Sequence, residues 1–148
     1  MSDWIIKLIP NEPEYVPTDM NLEKVKEWFA LSLAFEKANY IMTDEVRFID
    51  QGRNFESVSC PICSNILDLG WWGAAMDKAS ETSFQKLDII TYCCNSPSLL
   101  SELIYKGNAG FARFSIEIMN PKRDITKETI ANLEYLLGCS MLKVEAYY

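Results

Sequence analysis

The stretch Ala112-Arg113-Phe114-Ser115-Ile116-Glu117-Ile118 alternates apolar and polar residues without a break. A period of two belongs to a strand with one buried face. Asn120-Pro121 ends it. Downstream, Thr126 is placed to cap a helix, and Ile125 and Ile130 can close a hydrophobic staple across its first turn. Ile130, Leu133 and Leu137 recur at helical spacing, and Gly138 supplies the stop. Leu142, Val144 and Ala146 then alternate with Lys143 and Glu145 in a last strand. Such a strand–helix–strand unit calls for a sheet covered by helices on at least one face.

Upstream, Trp4–Ile9 reads as a strand stopped by Pro10, Pro13 and Pro17. Thr18 and Asp19 can cap a helix whose apolar stripe is Leu22, Val25, Phe29 and Leu33. Val46–Asp50 is a short strand running into the turn-rich segment Asp50-Gln51-Gly52-Arg53-Asn54. A second helix starts near Trp71, with Trp72, Ala75, Met76 and Ala79 on one face and Gly70 and Gly73 weakening its first turn. Leu87–Tyr92 is a compact strand leading directly into Cys93 and Cys94. The expected fold is an α/β or α+β single domain over residues 1–148. It has a mixed β-sheet packed by about three helices and a zinc-knuckle-like cysteine site.

The 148 residues, 49% of them hydrophobic, suit one globular core. No apolar run approaches the ~20 residues of a membrane span, and Trp4–Ile9 follows Asp3 without a basic lead, unlike a secretory signal. A cytoplasmic protein is expected. The formal charge is -7, and residues 1–58 alone hold 11 acidic and 6 basic residues. Phosphate-tracking proteins concentrate Lys and Arg, so nucleic acid is disfavoured as a partner. An acidic surface suits a basic protein partner, though it also serves plain solubility. The chain contains no histidine, which removes Ser-His-Asp triads, Cys-His pairs and imidazole-ligated zinc.

Four of the five cysteines fall into pairs: Cys60-Pro61-Ile62-Cys63, and the vicinal Cys93-Cys94. A two-residue spacing lets both sulfurs meet one cation, and Zn²⁺ takes four thiolates in a tetrahedron. In a reducing compartment the thiols stay free to bind metal. The vicinal pair is the irregular half, because neighbours on a strand point to opposite faces. Asn95-Ser96-Pro97 offers the turn that would bring both inward. Cys60, Cys63, Cys93 and Cys94 are therefore the expected ligands of a structural zinc site, ribbon-like in its pairing. Two alternatives stand beside it: reduced buried cysteines without metal, and thiol redox chemistry at Cys60 and Cys63, whose Cys-Pro-Ile-Cys resembles thioredoxin-like motifs. Cys139, alone after Gly138, reads as a small core residue.

Other residues could carry binding. Trp71-Trp72 in a Gly-flanked turn offers a binding platform, although packing of at least one over the metal site or core is the simpler account of the pair. Asp50, Asn54 and Glu56 could build a polar site with Arg113, or serve only turn chemistry and solvation.

The order of features resembles a group of uncharacterised bacterial cytoplasmic proteins with paired cysteines. It comprises Phe48-Ile49-Asp50, Gly52, Asn54 and Glu56 before Cys60-Pro61-x-Cys63, then Trp72, Met76-Asp77, Cys93-Cys94, Leu103 and Tyr105. Gly110-Phe111-Ala112-Arg113-Phe114, Asn120-Pro121, Leu133-Glu134 and Leu136-Leu137-Gly138 complete it. The resemblance implies one bacterial domain with a zinc knuckle, its ligands Cys60, Cys63, Cys93 and Cys94, and nothing about a substrate. The expected function is a non-enzymatic, zinc-stabilised protein-interaction domain, one form of which is an immunity or antitoxin-like protein. A small enzyme with a carboxylate/Arg site and a thiol redox protein are the alternatives.

Overall fold

The computed structural model describes residues 3–32 and 37–148. Four strands form the main sheet: β1 (Trp4–Pro10), β2 (Ala38–Ile49), and, after four short strands, β7 (Gly110–Met119) and β8 (Met141–Tyr147). Their order is β2-β7-β1-β8. Every neighbouring pair is antiparallel, from Ile5 opposite Met119 to Trp4 opposite Tyr147. The sheet is therefore antiparallel and not mixed, and the fold is α+β. The strand–helix–strand unit at the chain's end does place β7 and β8 parallel to each other. β1 lies between them and pairs with both, so no parallel ladder forms.

Helices α1 (Asp19–Ser32) and α3 (Lys127–Leu137) pack with this sheet. Val25 and Phe29 of α1 and Leu133 and Leu137 of α3 meet Ile6, Leu8, Phe114, Ile116 and Ile118 in one buried cluster. Leu33, expected to extend the α1 stripe, lies outside the described residues. The α3 boundaries follow from their chemistry. Thr126 accepts a hydrogen bond from the Thr129 N–H at 3.2 Å, and Gly138 closes the helix with φ at +75°.

A second cluster lies under α2 (Leu69–Ser80) and two small sheets: β3 (Val58–Ser59) with β6 (Ile104–Tyr105), and β4 (Asp88–Thr91) with β5 (Ser96–Leu99). Val46, Val58, Cys60, Leu67, Met76 and Leu100 are buried there, with Phe111 reaching in from β7. β7 thus joins the two cores, contributing Phe111 to one and Phe114, Ile116 and Ile118 to the other.

Two elements start before their expected positions, and the strand expected over Leu87–Tyr92 is trimmed to Asp88–Thr91. β2 starts at Ala38 and not at Val46, and a break in register between Met42 and Arg47 interrupts the alternation that would have revealed its first half. α2 begins at Leu69, ahead of both glycines that weaken its first turn, because Asp68 Oδ2 accepts the Trp71 N–H at 2.9 Å.

Leu133 has no exposed surface and sits where α3 meets the sheet. Replacing it with alanine is expected to cost about 3 kcal/mol of unfolding free energy by urea titration.

Candidate metal centre

The Cys60–Cys63 segment is the tip of a small hairpin. Ser59 bridges antiparallel to Ile66, the Leu67 N–H donates to Val58 O at 2.8 Å, and the Cys60 N–H donates to Asn65 O at 2.9 Å. The Ser64 N–H returns to Cys60 O at 3.0 Å, and Ser64 takes a left-handed conformation with φ at +66°. That tight turn frees the backbone N–H of Ile62 to donate to Cys60 Sγ at 3.4 Å.

The vicinal pair occupies the turn of the β4–β5 hairpin. Tyr92, Cys93, Cys94 and Asn95 connect the two strands, with Asn95 left-handed at φ +51°. Leaving the strand before Cys93 removes the difficulty of opposed neighbours. Cys93 Sγ stands 3.2 Å from Cys63 Sγ, and Cys94 Sγ stands 3.7 Å from Cys60 Sγ. The vicinal sulfurs are 4.0 Å from each other. All four sulfurs lie within 4.8 Å of one another.

These separations suit a metal ion. Four sulfurs at about 2.3 Å from one Zn²⁺ in a tetrahedron lie about 3.8 Å apart. The thiols are free. The backbone N–H groups of Cys63 and Ile62 hold the Cys60 thiol down to about 6. Its neighbour Cys63, then burial, push the Cys93 thiol up to about 12. The charge on Cys60 adds a smaller push in the same direction on Cys93. A divalent cation would supply the missing charge, and the donor set is the one such an ion takes as thiolates.

The cluster also ties the two ends of its surroundings together. The Asp68 N–H, at the cap of α2, donates to Tyr92 Oη at 2.7 Å, beside Cys93. Trp71 packs edge-on against the Tyr92 ring at 5.2 Å. Cys139 lies outside this site, half-buried against the first core, with Sγ 3.7 Å from Met141 Sδ.

The two tryptophans separate. Trp72 turns inward among Phe48, Phe55 and Tyr105, and its Nε1–H donates to Tyr105 Oη at 3.2 Å. Trp71 lines a groove between α2 and the β4–β5 hairpin.

Asp50, Asn54, Glu56 and Arg113 each have a different partner. Asn54 Nδ2 donates to Glu145 O at 2.9 Å, and Glu56 pairs with Lys106 at 2.9 Å. Arg113 donates to Thr43 O at 3.0 Å and lies 3.7 Å from Glu14. Among the described residues, no side-chain hydrogen bond or ion pair joins any two of the four. None of them lines the α2–hairpin groove.

Asp50 belongs to a cluster that sequence reasoning missed. Its Oδ1 lies 3.2 Å from the buried Nζ of Lys7, and Tyr148 Oη donates to the same carboxylate at 3.0 Å. The Gly52 N–H donates to Oδ2 at 2.9 Å. Lys7 is 7% exposed in the middle of the apolar run of β1. That one charge inside an apolar strand was the available signal. Burial opposes ionisation of Asp50, but the Lys7 charge and the Tyr148 and Gly52 hydrogen bonds outweigh it and hold the carboxyl below its ordinary value.

A depressed carboxyl stabilises the fold above its unfolded pKa, and loses that contribution as pH falls through the folded value. Asp50→Asn is therefore expected to cost about 1 kcal/mol at pH 7, allowing for the 44% exposure of the Asp50 side chain. In urea titrations the difference from wild type should shrink as pH drops below about 4. Comparison with protein-family models, with curated proteins and with solved structures gives no match to this chain, so the cysteine cluster is the one part of the family resemblance with support.

Proposed function

We propose that the chain is a zinc-stabilised protein-interaction domain without catalytic activity. The carrying observation is the meeting of Cys60, Cys63, Cys93 and Cys94 within 4.8 Å. Four protein thiolates fill a tetrahedral ion and leave no position for water or substrate, which is the arrangement of structural zinc. Zinc here would brace the hairpin before α2 against the hairpin after it. The -7 charge favours a basic protein partner, and an immunity or antitoxin-like protein covering a basic toxin is one concrete form. A cytoplasmic setting accords with free thiols, and no described helix is long and apolar enough to cross a membrane.

The thiol redox alternative draws on the lowered Cys60 thiol. Its sulfur has no exposed surface, whereas exchange needs an attacking thiol to reach it. The carboxylate/Arg alternative lacks a shared cleft, since each of its residues is engaged elsewhere.

Protein purified without chelator should carry one zinc per chain by elemental analysis. Cys60→Ser and Cys93→Ser should each lose it, and a strong chelator should expose four titratable thiols and lower stability by at least about 3 kcal/mol. Substoichiometric zinc, or four thiols that react fully before chelation, would contradict the zinc reading. A pull-down that recovers no protein partner, together with turnover of a small molecule, would overturn the interaction reading.

A further inference from the structure

Helix α2 turns a face of Trp71, Ala74, Ala75 and Ala79 toward the β4–β5 hairpin, at offsets of three, four and eight. Large apolar residues at those offsets would fill the space to Ile89 and Leu100. The three alanines leave a groove of about 760 Å³. That volume lies in the range of small-molecule sites, which combine apolar walls with a few polar groups.

The polar groups of this groove have an unusual balance for so acidic a chain. Lys78 and Lys86 line it against a single acid, Asp88. All three are exposed. Among the described residues, neither lysine ammonium has an ion pair or a hydrogen bond, and Asp88 pairs with neither. Ser98, also on the lining, has a buried Oγ without a hydrogen-bond partner. A chain of net charge -7 thus presents two uncommitted cations at the mouth of an apolar trough.

We infer that this groove binds a small amphipathic carboxylate. Its aliphatic or aromatic body lies against Trp71 and the alanine face, and its carboxylate meets Lys78 and Lys86. This site is separate from the cysteine cluster, although Trp71 touches Tyr92 of the turn that holds Cys93 and Cys94. The inference goes beyond the interaction-domain reading and does not depend on it.

The test uses the full chain and decanoate kept below its micellar concentration, followed by amide chemical-shift mapping. Saturable shifts confined to α2 and the β4–β5 hairpin are expected. Decanol and decyltrimethylammonium should bind roughly tenfold more weakly, because they lack the anionic head that two lysines reward. Lys78→Ala/Lys86→Ala should abolish that preference while keeping the wild-type thermal midpoint. Ala74→Phe, at an exposed position, should block all three ligands. The inference is overturned by an absence of saturable shifts or by equal binding of decanol. It is equally overturned by a preference that survives loss of both lysines, or by dimerisation on sedimentation that covers Trp71 and excludes decanoate, which would give the groove to a second copy.

Discussion

Four sulfurs gathered within 4.8 Å impose the constraint around which the second core is arranged. Two unit charges 4 Å apart repel by about 4 kcal/mol at an effective dielectric of about 20. A set of four thiolates at such separations needs a compensating cation. The protein begins the compensation itself, with backbone N–H groups from the Cys60–Cys63 turn directed at Cys60. The Ser96 and Thr91 side chains do the same for Cys94, while Cys93 is pushed toward its neutral form. A divalent ion would answer the remaining charge, and that demand underlies the proposed zinc.

The consequences reach beyond the cysteines. α2 starts with Leu69-Gly70-Trp71-Trp72-Gly73, a weak beginning for a helix. Its start is secured by Asp68, whose side chain caps the first turn and whose N–H reaches Tyr92 on the opposite hairpin. The register between the helix and the β4–β5 hairpin is thus set at the end where the sulfurs meet. The first core needs no such brace, since two helices cover a four-stranded sheet there. The second consists of one helix, two-residue strands and a short hairpin. Small assemblies of this kind gain most from a cross-link or an ion.

Regular elements with local chemistry were legible in the sequence. The alternation from Ala112 to Ile118, the Thr126 cap and the Gly138 stop all stand where their spacing places them. So does the meeting of the cysteines, because two short motifs, one with metal spacing and one an irregular vicinal pair, can converge whatever the path between them. What escaped depends on distant partners. The first half of β2 is cut off from the second by a register shift between Met42 and Arg47 that spoils its period. The antiparallel order follows from insertion of β1 between β7 and β8, which no local pattern announces. The Lys7–Asp50–Tyr148 cluster draws on residues from both ends and the middle of the chain. The polar set of Asp50, Asn54, Glu56 and Arg113 looked plausible because three of its members are close in sequence, yet the fold gives each a separate partner.

X-ray absorption at the zinc edge of the purified protein tests the central claim most directly. The account predicts a single shell of four sulfur neighbours at about 2.3 Å, with no nitrogen or oxygen ligand. A shell containing oxygen or nitrogen, or fewer than four sulfurs, would contradict it.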